Sequence, residues 1–179
     1  MAGRSADASL PNRMIRAAQF DSEVYEEVER DVNATGQAAT VVLIAAVASG
    51  IGAIREGGII GLIFGVIGAL VGWVLWAAIT YWVGKTIFKT ENTRVTLGEM
   101  LRTLGFSHSP GVLNVIGFVP ILGPLVTLVV AIWVLILGII AIRQAMDFST
   151  GRAIGTAIIG FIPYIVVLII LAAITGGAM

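Results

Sequence analysis

Apolar and polar positions come in long blocks along this chain rather than alternating residue by residue. A polar stretch ends near residue 35, and uncharged apolar runs then cover about 38 to 54, 59 to 84, 124 to 142 and 153 to 175. Runs of that kind match the hydrocarbon core of a bilayer, which a helix crosses in about 20 residues. The first is near the lower length limit. Between the second and third lie residues 111–119, apolar apart from Asn114, followed by Pro120-Ile121-Leu122-Gly123-Pro124. A single helix over 111–142 would be about 48 Å long, well beyond a ~30 Å core. Pro120, Gly123 and Pro124 predict a break instead, because proline removes a helix hydrogen bond and clashes with the preceding turn. The expected architecture is all-α: a polytopic membrane bundle of five transmembrane helices, the third short or broken, over residues 36–179. Residues 1–35 form an N-terminal interfacial segment ahead of it.

Charge supports five crossings. With the N-terminus inside, Arg4, Arg13, Arg16, Arg30, Lys85, Lys89, Arg94, Arg102, Arg143 and Arg152 fall on the cytoplasmic side, leaving only Arg55 outside. Four crossings would move Arg143 and Arg152 out and weaken the positive-inside bias. The outer face then holds the Arg55-Glu56-Gly57-Gly58 turn, the Pro120 to Pro124 turn and the C-terminal end. The first 35 residues contain no apolar signal-peptide core, so insertion is expected to rely on the first span.

The cytoplasmic side carries nearly all the polar surface. Asp21, Ser22 and Glu23 can cap a short helix with Val24, Tyr25, Val28 and Val32 on one side. Upstream, residues 12–18 can lie flat at the headgroups with Arg13 and Arg16 outward. In the 85–108 loop, Leu97, Met100, Leu101 and Leu104 form one face of another helix, opposite Glu99 and Arg102. Both helices read as interfacial, against lipid or the bundle, or as partner-binding faces. Arg143 and Asp147 stand at i, i+4 at the end of the fourth span, and Ser149 or Thr150 can cap the fifth before Arg152. That corner is either an ion-pair network or a docking surface.

Inside the spans, Gly61, Gly65, Gly68 and Gly72 share one helical face, and Ala38, Ala45, Ser49 and Gly52 form a comparable seam on the first span. Close packing of spans one and two is the expected use, with homo-oligomer contact as the alternative. No ionisable side chain lies within the spans, although pumps and ion-coupled carriers ordinarily keep some there. Asn114 is expected to satisfy backbone freed near Pro120, rather than to line a permeation path.

Composition removes other classes. The chain is 58% hydrophobic and 12% charged with zero formal net charge, so it lacks the basic footprint of a nucleic-acid binder. It has no cysteine and one histidine, His108, so disulfides, thiolate metal sites and two-histidine metal motifs are out. Ser107-His108-Ser109 is adjacency in sequence, which does not place a hydroxyl where an imidazole can take its proton. With no phosphate-binding loop either, no catalytic, cofactor or metal residue is assigned and no enzyme is expected.

Residues 96–106 (TLGEMLRTLGF), Pro110, Pro120, Trp133 and residues 141–153 (AIRQAMDFSTGRA) resemble the Yip-one family of integral membrane proteins. Residues 33–38 (NATGQA) look like its prokaryotic branch. The resemblance implies a five-span helical domain with a cytoplasmic N-terminus and, from eukaryotic relatives, vesicle trafficking with binding of Rab GTPases. The family's Asp-Leu-Tyr-Gly-Pro motif has no counterpart here, and its Gly-Tyr pair is Gly105-Phe106. The expected function is a non-enzymatic adaptor or organiser in a prokaryotic cytoplasmic membrane, C-terminus outside, contacting lipids and an unidentified protein. Its candidate docking residues are Tyr25, Val28, Glu99, Arg102, Arg143, Asp147 and Arg152. The alternatives are a small permease or channel subunit, on the strength of the broken helix, and curvature generation by the interfacial helices.

Overall fold

At membrane depth no water is present to satisfy bare peptide groups, so each apolar run must bond internally, and helix is the result. The computed structural model describes residues 8–91 and 93–176. Its helices are α1 (Leu10–Ala18), α2 (Ser22–Arg30), α3 (Ala34–Gly52), α4 (Ile54–Thr86), α5 (Leu97–Phe106), a 3-10 helix (Ser109–Phe118), α6 (Leu122–Ala145) and α7 (Thr150–Gly176). Four are long and apolar enough to cross a membrane: α3, α4, α6 and α7 over Thr150–Ile170. Arg4 and residues 177–179, which the charge argument placed on one side or the other, lie outside the described residues.

The connections follow from backbone chemistry. Gly58 has φ 57°, which divides the start of α4 from its long continuation at the expected glycine turn. Helix α6 begins just past Pro120, where Ile121 takes φ 71°, and Pro124 is housed in the first helical turn. Leu122 N–H bonds the Pro120 carbonyl at 2.9 Å and Gly123 N–H the Val119 carbonyl at 2.7 Å, closing that turn. Asp147, at φ 51°, ends α6: Phe148 N–H bonds the Arg143 carbonyl (2.9 Å) and Asp147 N–H the Gln144 carbonyl (3.2 Å). Those two bonds are the Schellman pattern.

The small-residue seam of α3 is present, but its partner is not α4. A Cβ on Gly105 would lie 2.6 Å from the Ala38 Cβ, and one on Gly111 2.6 Å from the Ala45 Cβ. On Gly52 it would overlap the Asn114 carbonyl, and Gly117 lies against the Gly52 Cα. Paired this way, 38, 45 and 52 ascend with 105, 111 and 117, so α3 runs parallel to α5 and the 3-10 helix. Gly61, Gly65 and Gly68 have nothing within 4 Å of a Cβ position, and Gly72 meets only the Tyr164 hydroxyl at 3.0 Å. Spans one and two do pack, a Cβ on Gly50 falling 2.8 Å from the Leu62 side chain, but not through the Gly61, Gly65, Gly68 face, because the α3 seam closes on another neighbour. Asn114 is likewise reassigned: its Nδ2 donates to Ser49 Oγ at 3.0 Å instead of serving the Pro120 break.

The two N-terminal helices are part of the bundle. Ala17, Val24, Tyr25 and Val28 share one buried core with Met100, Leu104, Phe106 and Ile142, so packing runs across the boundary at residue 35. Trp133 Nε1 donates to the Ala18 carbonyl at 2.9 Å and its ring stacks on Phe20 at 6.1 Å, docking the α1–α2 turn halfway along α6. The arginines do not face outward. Arg13 is 3% exposed and reaches Glu27 (2.8 Å), Asp31 (2.9 Å) and Gln37 (2.9 Å), while Ile15 and Phe20 are exposed. A guanidinium with three partners in three directions is better satisfied inside than at the headgroups.

Candidate functional site

The polar ends of α2, α5 and α6 meet at one end of the bundle. Asp21 caps α2, its Oδ1 accepting from Glu23 N–H at 2.9 Å. Helix α5 opens with a reciprocal capping box: Glu99 N–H bonds Thr96 Oγ1 at 3.3 Å and Thr96 N–H bonds Glu99 Oε2 at 2.7 Å. Arg102 closes the other side. It is 6% exposed, and its guanidinium donates to the Val28 carbonyl at 2.9 Å and to the Glu29 carbonyl, satisfying the last turn of α2. Gln144 Nε2 donates to Glu26 Oε1 at 3.2 Å, and Arg143 Nε to Gln144 Oε1 at 3.0 Å, tying α6 to α2.

This arrangement divides the expected docking residues. Tyr25 and Val28 are 0% exposed and Arg102 holds backbone beneath the surface, so these three build the platform rather than display it. Glu99 and Arg143 are half-buried, and Asp147 and Arg152 are exposed. No ion pair joins Arg143 to Asp147, because α6 stops at Ala145 and helical i, i+4 spacing no longer applies. The residues that sequence reasoning passed over are Glu26 and Glu29. Their signal was weak: a run of acids on a short helix reads as a solvated face.

Glu29 is the electrostatic centre of the platform. Its carboxyl is pushed up to about 7, chiefly by burial, then by the charges of Glu26, Glu99 and Asp147, with Arg30 opposing. A carboxyl raised in the folded state is protonated there while still ionised in the unfolded chain. Its contribution to stability is therefore full below about pH 4.5 and falls as pH rises to about 7. Glu29→Gln should flatten that slope, and above pH 7 should raise stability by about 1–2 kcal/mol after allowance for solvent screening. Thermal melts of both proteins between pH 5 and 8 check this; parallel curves would remove Glu29 from the account.

A second feature lies at membrane depth. A cleft of about 1130 Å³ runs between α4, α6 and α7, with the α3 seam at its back. Gly61, Gly65, Gly68 and Gly72 line it, opposite Gly138 of α6 and Phe161 of α7. Trp76 packs edge-on against Phe161 (6.5 Å) and Tyr164 (5.4 Å) across it. His108 also lines the cleft, and its Nδ1 donates to the Leu104 carbonyl at 2.9 Å. Among the described residues no three acids or histidines are grouped to hold a metal.

The Yip1 domain family model matches residues 15–174. The chain belongs to the Yip1 domain family. No curated protein and no solved structure matches it. The Yip1 match starts inside α1 and ends in α7, so it takes in the α1–α2 hairpin, the platform and the cleft as one unit. Family membership and four apolar helices make this Yip1 protein an integral membrane protein.

Proposed function

We propose that this Yip1 protein is a non-enzymatic membrane adaptor whose docking surface is the platform formed by α2, α5 and the α6–α7 corner. The observation that carries the reading is convergence: Glu26, Glu29, Glu99, Arg143 and Asp147 come from three separate elements to one end of the bundle. Surface of mixed charge held by rigid helix ends suits recognition of a charged partner. The proposal includes five crossings, with α5 and the 3-10 helix together as the third. Its support is the parallel register of that pair with α3 and the positive-inside count; in this reading the platform and the N-terminus face the cytoplasm and the C-terminus lies outside. A prokaryotic cytoplasmic membrane is the proposed location. Retention of the Rab binding seen in eukaryotic relatives is not part of the proposal, since the family's Asp-Leu-Tyr-Gly-Pro motif has no counterpart here.

The chain has no cysteine, so single cysteines can be labelled without background. In intact cells an impermeant maleimide should label Gly57→Cys and Leu122→Cys but not Asp147→Cys. A cross-linker on Asp147→Cys should then capture the same protein repeatedly, and Glu99→Lys should abolish the adduct. External labelling at 147 would defeat the topology, and an adduct indifferent to Glu99→Lys would defeat the platform. A permease would use the cleft as its path, but among the described residues no Asp, Glu, Lys or Arg lines it, which favours the adaptor.

A further inference from the structure

The cleft is too large to be a packing defect. Its volume of about 1130 Å³ is at the top of the range of ligand cavities, roughly 300–1,000 Å³. Gly61, Gly65, Gly68 and Gly138 all face open space where a side chain would begin. An empty apolar space forfeits dispersion contacts on every side, and water has few partners between walls that are mostly carbon.

Several of the polar groups that line it have no partner in the protein. Trp73 Nε1 donates to the Leu101 carbonyl at 3.1 Å and Trp133 Nε1 to the Ala18 carbonyl at 2.9 Å, whereas Trp76 Nε1 has no acceptor among the described residues. The Tyr164 hydroxyl, on a ring packed edge-on against Trp76 at 5.4 Å, is also without a hydrogen bond among them. Both rings line the cleft. So does His108, which spends Nδ1 on the Leu104 carbonyl and has no partner for Nε2 among the described residues. Asn114, two turns of 3-10 helix further on, has its Oδ1 enclosed without a donor. Indole N–H and phenol O–H groups taken out of water ordinarily find a partner, and at membrane depth no bulk water supplies one.

Depth decides which chemistry can supply the partners. Trp76 lies about 15 Å along α4 from its end at Thr86, and Tyr164 about 21 Å along α7 from its start at Thr150. Both therefore stand near the middle of a ~30 Å hydrocarbon core. A phosphate brought there would be an unpaired charge, because no Lys or Arg among the described residues lines the cleft to meet it. A second copy of this chain would not serve either, since a helix laid on the glycine face has its peptide groups already bonded within itself. We propose that the cleft holds one uncharged lipid of the diacylglycerol class. Its hydroxyl meets His108 Nε2, its ester carbonyls accept from Trp76 Nε1 and Tyr164 Oη, and its chains lie along the Gly61, Gly65, Gly68 face. Enclosure of the Asn114 oxygen is the reason for assigning the hydroxyl to His108. The site depends on neither the adaptor reading nor the compartment that the platform faces.

The test is native mass spectrometry of the full chain, delipidated and then titrated with dioleoylglycerol, with its acetyl ester, or with dioleoyl phosphatidylcholine. The wild-type chain should retain one dioleoylglycerol about ten times more strongly than either of the others, the order of one hydrogen bond in an apolar site. Tyr164→Phe should weaken dioleoylglycerol by a similar factor and leave the melting temperature unchanged, because that hydroxyl has no partner in the protein to lose. His108→Phe should erase the preference over the acetyl ester. At Gly68 a Cβ meets nothing within 4 Å, so Gly68→Leu should exclude all three lipids with the fold intact by thermal melt. Equal retention of dioleoylglycerol and its acetyl ester by the wild type, or unchanged retention by Tyr164→Phe, would overturn the proposal. So would equal retention of phosphatidylcholine, which would give the cleft to bulk lipid, and so would a wild-type dimer lost in Gly68→Leu, which would give it to a second copy.

Discussion

Gly52→Ala is expected to lower stability by about 2–3 kcal/mol, although alanine is the better helix former, because overpacking a tight contact costs about that much. The added methyl would overlap the Asn114 carbonyl and crowd the Gly117 Cα, and neither is a side chain that can swing aside. Gly65→Ala, in the same kind of sequence setting, should do the reverse. Its methyl meets nothing within 4 Å, so it should keep the helix-propensity gain of about 0.5–1 kcal/mol. In detergent melts the two variants should separate by about 5–10 °C for a domain of this size. Equal melting temperatures would show that the α3 seam does not pack as described.

The second large effect is at Arg13. Replacing it with Met keeps the volume but leaves Asp31 without its guanidinium and Glu27 with Arg16 alone at 2.6 Å, the two acids being only 31% and 25% exposed. Breaking a buried pair costs about 3–5 kcal/mol, and partial exposure of these acids brings the expectation down to about 2–3 kcal/mol. Arg13→Lys should recover less than half, since an ammonium cannot reach Glu27, Asp31 and Gln37 at once from a fork. Acid provides a separate check. Arg13 holds the Asp31 carboxyl below its ordinary 3.8, so this contribution is present above that pH and is lost as pH falls below it. Arg13→Met should unfold with less acid sensitivity in that window; an unchanged acid limb in urea titrations would contradict the ion-pair account.

Much of the architecture was legible because it follows from local rules. Uncharged runs, the glycine turn at Gly58 and the imino acids around Ile121 each leave their mark on a few consecutive residues. The seam partner was also written in the chain, as Gly105, Gly111 and Gly117 at intervals of six. Six residues are two turns of a 3-10 helix, so Gly111, Asn114 and Gly117 share a face. Read at the α-helical period that repeat is invisible, which is why Gly61, Gly65, Gly68 and Gly72 drew attention instead.

The docking residues show the opposite case. Tyr25, Val28 and Arg102 lie on faces whose amphipathic pattern is equally consistent with lipid, partner or bundle, and nothing local separates these outcomes. Sequence by itself determined what has to be helical and apolar, because the cost of a bare peptide group or a charge at membrane depth is set residue by residue. Only the tertiary structure decided which glycine face closes on a neighbour and which stays open as a cleft, and whether Arg13 and Arg102 point out or in. Those outcomes depend on competition among distant segments for the same partner, and no window along the chain contains both competitors.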